Sequence, residues 1–553
     1  MPTITIDGQT FEVPQGITIL QAALAKGIEI PHYCYHPGLE IAGNCRICLV
    51  EVEKNPKPQI ACNTFISDGM VVFTQSEKTK DWQKAVMEFL LINHPLDCPI
   101  CDQAGECKLQ DYSFRFGKPT TRFEEEKEHG PKRRELGPHV MFDWERCIKC
   151  TRCIRFCEEV PKTGELDMFL RGVREEISTF PGKPLDNNYS GNVVDICPVG
   201  ALTLKEFRFK SRVWFVSNVP STCGGCARGC STNIGSFRNE VYRITPRENQ
   251  AVNRWWICDE GRLWGERMRA GEPHRLSGVS GAGVDAKDTW GSALSAATLA
   301  LKNAAGKVRV LASPRMTCEE ALVLARLAAG PLQGAKVHLA VHEQGADDDV
   351  LLRRDKSPNR RGVSAVIDAL CGGAGTVAEL EQALKAGTVD ALIAIGPGLT
   401  GPHADEPAVI DAAALQKANV RIVLDCYKSS LSDAATLLLP VLTYGETAGT
   451  YVNFAGRVQH VEKPFTPRAD ARSLLMILGD LLQSLSPGES IGGVAHAREQ
   501  LSKSVPAFAN IRWDELPASV GQDLAGVDSA SQACKVTGAA RKILSAGWAP
   551  VGH

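Results

Sequence analysis

Sixteen of the chain's twenty cysteines fall within its first 258 residues, in four groups. In a chain of 553 residues without a secretory context, clustered thiols point to metal or redox work rather than to structural disulfides. They also divide the chain into a metal-rich first half and a conventionally packed second half. The latter holds only Cys318, Cys371, Cys426 and Cys534.

The first group is Cys34-x10-Cys45-x2-Cys48-x13-Cys62. Plant-type [2Fe–2S] ferredoxins use C-x4-C-x2-C…C on a β-rich fold, and the "GNCRICLVEVE" stretch fits that core with a longer first gap. The loop 37–44 carries Gly38 and Gly43, which let backbone amides approach sulfur. A four-thiolate zinc site is the alternative, although zinc favours two separate C-x2-C knuckles.

The second group is His94-x3-Cys98-x2-Cys101-x5-Cys107, too compact for two knuckles and suited to one cubane cluster, with zinc again the rival. The third, Cys147-x2-Cys150-x2-Cys153-x3-Cys157 with a distant Cys197-Pro198, is the bacterial ferredoxin run. A second such run would place cysteines at 187, 190 and 193, where this chain has Asn187, Ser190 and Val193. One [4Fe–4S] cluster on Cys147, Cys150, Cys153 and Cys197 is therefore expected, with Cys157 left as a core thiol. The fourth group, Cys223-x2-Cys226-x3-Cys230-x27-Cys258, also suits a single [4Fe–4S] cluster.

The rest of the chain sets these groups in a fold. "TITIDGQTFEVPQG" predicts a hairpin turning at Asp7-Gly8, "TILQAALAKG" a helix, and "RICLVEVE" and "MVVFTQ" further strands. A helix over 79–94 is expected, with Trp82, Val86, Phe89, Leu90 and Asn93 on one face and Pro95 ending it beside His94. The charge-dense run "RFEEEKEHGPKRRE" reads as a solvated loop. From about residue 275, strands such as "VRVLAS", "KVHLAV", "DALIAIG" and "VRIVLD" alternate with helical runs, which predicts a parallel doubly wound sheet. The glycine clusters "CGGAG" and "IGPGLTG" read as loops. The formal net charge of −2 gives no signal for nucleic acid, and no apolar run approaches the roughly 20 residues of a spanning helix. The start alternates like a strand and lacks a signal-peptide pattern, so a cytosolic chain is expected.

An anionic cluster is easier to reduce when cations and sulfur hydrogen bonds surround it. Arg146, Lys149, Arg152 and Arg155 flank the third group. Each alone reads as a solvated surface charge; together they would tune the cluster. A neutral histidine in place of one thiolate removes a negative charge and should raise the potential of the His94 cluster. Four one-electron centres in one chain make a wire, and no catalytic terminus accompanies them.

These motifs in this order, with "FRFKSRVW", "RITPRENQAVNRWWICDEGR" and "YGETAGTYVNFAGRVQ", resemble the large iron–sulfur subunit family of bacterial NADH-quinone oxidoreductase, respiratory complex I. The resemblance covers nearly the whole chain. It is most specific to about residue 270 and looser beyond, apart from the Tyr444–Gln459 stretch. It implies an α+β multidomain chain with five parts. These are a β-grasp [2Fe–2S] ferredoxin-like unit over 1–78, a His/Cys3 [4Fe–4S] domain over 79–120, a ferredoxin-type region over 121–215, a fourth cluster domain over 216–272, and a reduced α/β molybdopterin-oxidoreductase-like domain over 273–553. It implies the same ligands: Cys34, Cys45, Cys48 and Cys62; His94, Cys98, Cys101 and Cys107; Cys147, Cys150, Cys153 and Cys197; Cys223, Cys226, Cys230 and Cys258. It further implies no molybdopterin, a flavin-bearing NADH-oxidising partner subunit, neighbouring iron–sulfur subunits leading to quinone, and a peripheral place on the cytoplasmic side of the bacterial inner membrane. The rival is an electron-wiring subunit of a soluble NAD-linked formate dehydrogenase or hydrogenase. A zinc-stapled scaffold is the non-enzymatic rival.

Overall fold

The alternating run at the start folds as its pattern predicts. Strands Thr3–Ile6 and Gln9–Glu12 pair antiparallel, and Asp7 and Gly8 take φ of 49° and 83°, the left-handed pair that a two-residue hairpin requires. Thr3–Ile6 then pairs in parallel with Met70–Phe73, and Leu49–Val52 and Gln59–Ile60 complete a five-stranded sheet. The helix Ile19–Ala25, closed at its start by a Thr18/Gln21 capping box, buries Ile19, Leu20, Ala22 and Ala23 among Ile4, Ile6, Val50 and Val72. This is the expected β-grasp unit.

The structure, a computed structural model, describes residues 1–170, 172, 174–266, 274–287, 289–304, 306–395, 410–467 and 470–535. Two compact units are distinguished, Met1–Val216 and Ser217–Cys534. Among the described residues no helix is long and apolar enough to cross a membrane. Most of the "IGPGLTG" stretch lies outside the described residues.

In the first unit the helix Glu77–Leu91 starts two residues earlier than the sequence implies, capped by Ser76, and turns a different face inward. Thr79, Gln83 and Met87 are buried, whereas Phe89 is 76% exposed and Asn93 is exposed. The polar side chains are drawn in because the sheet offers them partners. Thr79 Oγ1 donates to Phe73 O at 2.9 Å and Gln83 Nε2 to Leu49 O at 3.2 Å, while Met87 Sδ accepts from Tyr33 Oη at 3.4 Å. The charge run behind it is more than solvated loop. Lys127 Nζ donates to the helix-end carbonyls of Leu91 and Ile92 at 2.9 and 2.6 Å, and Glu128 N–H donates to Asn93 Oδ1 at 3.2 Å.

In the second unit the predicted parallel sheet is present. Ser280–Gly281, Leu437–Pro440, Val420–Asp425, Ala391–Ile395, Val308–Ala312 and Lys336–Leu339 lie in that order, all parallel except the two-residue edge. Successive residues face opposite cores: Val310 and Ala312 belong to one apolar cluster, Leu311 to another. Helices Cys318–Ala329, Arg360–Cys371 and Leu474–Leu485 contribute to the first core, and Val377–Lys385 to the second. Leu437–Pro440 is an inner strand of this sheet.

Candidate metal centres

None of the twenty cysteines forms a disulfide, so none of the four groups is a disulfide framework. Among the described residues no three His, Cys, Asp or Glu side chains are set to hold a single metal ion. The fit of a cluster is therefore judged on the donor sets themselves.

The first group converges through strand register. Leu49 pairs with Ile60, and Ala61 N–H donates to Cys48 O at 3.0 Å, which sets Cys48 beside Cys62. The loop from Cys34 returns through Gly43 (φ 61°) and Arg46 (φ 60°) to bring Cys34 and Cys45 in, and Cys34 N–H donates to Cys45 Sγ at 3.4 Å. Sulfur hydrogen bonds join Cys34 to Cys45 and to Cys62, and Cys62 to Cys48. Those bonds hold the Cys34 and Cys48 thiols down and drive Cys45 and Cys62 up. The four thiols form one set.

In the second group, His94 follows the capped end of the helix and its N–H donates to Leu91 O at 3.3 Å. Asp97 is held by Lys132 Nζ at 2.8 Å and by Arg146 Nη2 at 2.8 Å, and the turn Cys98–Ile100 follows. Cys107 precedes the helix Lys108–Phe116. Cys101 and Cys107 are buried and Cys98 is exposed. Burial pushes the Cys101 thiol up and that of Cys107 to about 11, with the neighbouring thiols acting on both. Burial lowers His94 to about 4, helped by the charges of Arg146 and Lys127. The imidazole is therefore neutral at pH 7, the form in which it ligates iron. The charge of Arg146 acts on both His94 and Cys101.

The third group lines one cavity. Cys147, Cys150, Cys153 and Cys197 face it together with Phe142, Ile177, Val199 and Leu202, whereas Cys157 is fully buried and does not line it. Lys149 and Thr151, alternating with the cysteines, take φ of 54° and 60°. This coils the backbone so that amides turn toward sulfur, and Lys149 N–H reaches Cys147 Sγ at 3.4 Å. Burial raises all four thiols, Cys197 to about 12. Ligation by iron would hold them as thiolates and release their protons. Arg146 and Arg152 are not the solvated charges that the sequence implies. Both are buried; Arg146 pairs with Asp97 and Asp143, and Arg152 donates to two backbone carbonyls.

The fourth group sits in the second unit. Cys223, Cys226 and Cys230 form the tip of a hairpin closed by the Thr222–Ser231 pair, and Cys223 N–H donates to Cys230 O at 2.8 Å. Cys258 caps the short helix Asp259–Arg262, its Sγ accepting from Gly261 N–H at 3.3 Å; Gly225 N–H donates to Cys223 Sγ at 3.4 Å. A Cβ on Gly261 would lie 3.1 Å from Cys223 Sγ and 3.5 Å from Cys258 Sγ, so glycine leaves the sulfurs room. Burial raises all four thiols, Cys223 to about 12. The ion pair of buried Lys356 with half-buried Glu260 (2.7 Å) acts on Cys223 and Cys226.

Four soft-donor sets, buried or half-buried apart from Cys98 and each served by backbone N–H groups or by close-packed glycine, fit iron–sulfur clusters. Several supporting residues carry no sequence signal. Lys127 sits in a charge run that looks uniform, and Lys356 lies about 130 residues from the thiols it serves. Gly200 had a faint signal, its place in "CPVGA". A Cβ there would lie 2.2 Å from Cys101 Sγ, which only glycine avoids. Tyr444 opens the "YGETAGTYVNFAGRVQ" stretch and donates to Thr222 O at 2.8 Å, fastening the fourth group's hairpin.

Comparison with known proteins agrees with this chemistry. Family models match a 2Fe-2S iron-sulfur cluster binding domain at residues 1–77 and an NADH-ubiquinone oxidoreductase-G iron-sulfur binding region at 83–122. Two more match the ferredoxin-like domain of NADH-quinone oxidoreductase subunit 3 at 137–203 and molybdopterin oxidoreductase at 370–484. The G-type subunit of NADH-quinone oxidoreductase from Rickettsia bellii is 47% identical over 263 residues, 48% of this chain and 38% of that protein. Its namesake from Streptomyces coelicolor is 37% identical over 388 residues, 69% of this chain and 46% of that protein. The mitochondrial NADH dehydrogenase [ubiquinone] iron-sulfur protein 1 of Solanum tuberosum is 47% identical over 273 residues, 49% of this chain and 37% of that protein. A solved NAD+-reducing [NiFe]-hydrogenase is 28% identical over 38% of this chain and 91% of its own, with a TM-score of 0.34, too low to carry a structural argument.

Fold, donor sets and family models together define a multi-cluster iron–sulfur protein with a molybdopterin-oxidoreductase-type C-terminal domain. The chain belongs to the NADH-quinone oxidoreductase-G family. The matched segments span less than half the length of these curated relatives.

Proposed function

We propose that the chain is the electron-relay subunit of a proton-translocating NADH:quinone oxidoreductase, carrying one [2Fe–2S] and three [4Fe–4S] clusters and no molybdopterin. The binuclear cluster takes Cys34, Cys45, Cys48 and Cys62. The other three take His94, Cys98, Cys101 and Cys107; Cys147, Cys150, Cys153 and Cys197; and Cys223, Cys226, Cys230 and Cys258. The five-part division at residues 78, 120, 215 and 272 follows those sites. When bound, the clusters supply one-electron redox chemistry.

One observation carries the reading: the Cys147 site adjoins both of its neighbours. Arg155 Nη2 donates to Cys34 O at 2.6 Å, and Asn44 Nδ2 reaches Lys149 O at 3.4 Å. On the other side Gly200 closes on Cys101, and Lys108 N–H donates to Pro198 O at 3.2 Å. This contiguity supports a route from the Cys34 cluster through the Cys147 cluster to the His94 cluster. A flavin-bearing NADH-oxidising subunit is the donor, and a neighbouring iron–sulfur subunit leading to quinone the acceptor. The Cys223 cluster is taken, from the family resemblance, to carry none of the main flux. The complex would hold the chain peripherally on the cytoplasmic face of the inner membrane.

Iron analysis and EPR on the complex purified from native membranes test this. About fourteen irons per chain and reducible two-iron and four-iron signals are expected, in company with flavin. A colourless zinc protein would overturn the reading, as would a chain that travels only with a soluble dehydrogenase.

A further inference from the structure

Arg152 stands at the junction of two sites. Its side chain is buried at 5% exposure. Nη1 donates to Ile196 O at 3.0 Å, one residue before Cys197, and Nη2 donates to Tyr35 O, one residue after Cys34. Nε has no hydrogen-bond partner among the described residues, and none of their carboxylates lies within ion-pair distance of the guanidinium. Arg146, six residues earlier, has the carboxylates of Asp97 and Asp143. Burial works against the Arg152 cation; what offsets it is the sulfurs of Cys150, Cys34 and Cys45 when ionised, drawn from two ligand sets.

A guanidinium stays charged in a protein, and burying it without a counter-charge is strongly unfavourable. Its two hydrogen bonds go to neutral carbonyls, which satisfy donors but do not neutralise charge. Two thiolate-bound clusters would each present net negative charge to the same cation. We propose that Arg152 is the shared counter-cation of the Cys34 and Cys147 clusters, raising both potentials together and screening each cluster from the charge of the other. Arg155 differs. It is half-buried, and its fork grips Cys34 O and Glu40 O on the Cys34 side.

The inference rests on the cluster assignment above, and its test separates the two. Equilibrium redox titration followed by EPR is run on the intact complex carrying Arg152→Gln. A wild-type complex without these signals would overturn the assignment itself. With the signals present, the Cys34 and Cys147 midpoints are expected to fall together in the variant, with those of the His94 and Cys223 clusters unchanged. Movement of only one of the pair, or of neither, overturns the proposal. Should the glutamine variant come out short of iron, Arg152→Lys decides, because it keeps the charge and gives up the fork. Both midpoints then stay at wild-type values; a fall in either overturns the proposal. A purely structural role would change iron content without moving the potential of the clusters retained.

Discussion

At the scale of single residues, burial sets the chemistry. His94 is held neutral at pH 7 by its surroundings, so it can stand among thiolates without adding charge. His94→Cys should keep a cluster and lower its midpoint, since a fourth thiolate restores one negative charge. Redox titration checks this, and an unchanged midpoint would remove His94 from the ligand set. Glu320 shows the same physics away from any cluster. It completes a capping box, accepting from Thr317 N–H at 2.8 Å, yet burial pushes its carboxyl up to about 7. The folded pKa lies above the unfolded one, so this group's stabilisation is full below about pH 4.5 and is lost as pH rises through 7. The cost at pH 8 is about 3 kcal/mol. Glu320→Gln keeps the cap acceptor and removes the charge. It should raise the melting temperature of the second unit by several degrees at pH 8 and hardly at all at pH 4.5, as calorimetry at the two pH values would show. An equal gain at both would refute the assignment.

Elements place those residues where they matter. The turn after Cys197 approaches Cys101 so closely that Gly200→Ala would drive a Cβ to 2.2 Å from its sulfur. The His94-site EPR signal should be lost or badly broadened while the Cys34 signal persists; a normal His94-site spectrum would show that the turn has slack. The hairpin at Asp7-Gly8 was legible from sequence because it is local: a few residues and one backbone geometry decide it. The inward face of Glu77–Leu91 was not. Apolar spacing chose Phe89 and Leu90, but Leu49 O, 34 residues from Gln83, and Phe73 O, six residues before Thr79, offered partners to those side chains and turned the helix round. The "RFEEEKEHGPKRRE" run likewise looked solvated until the end of that helix supplied carbonyls for Lys127.

Across the whole molecule, three candidate clusters belong to the Met1–Val216 unit and the fourth to the Ser217–Cys534 unit. Each unit encloses its own donor sets, which makes loss of the fourth separable. Cys258→Ser should remove one four-iron signal, leave the other three intact, and largely spare NADH-to-quinone flux in assembled complex. Severe loss of flux with the other signals intact would place that cluster on the main route.

Local pattern marked candidate donor groups and many of the strands and helices, because compact cysteine runs and hydrophobic period are properties of short segments. Which sites adjoin, and which cations sit between them, was settled by long-range packing alone. Arg152 is one of four basic residues in a short stretch, indistinguishable there from Arg155. Its burial between Tyr35 O and Ile196 O comes from segments 117 and 44 residues away, and contacts across such separations leave no local mark.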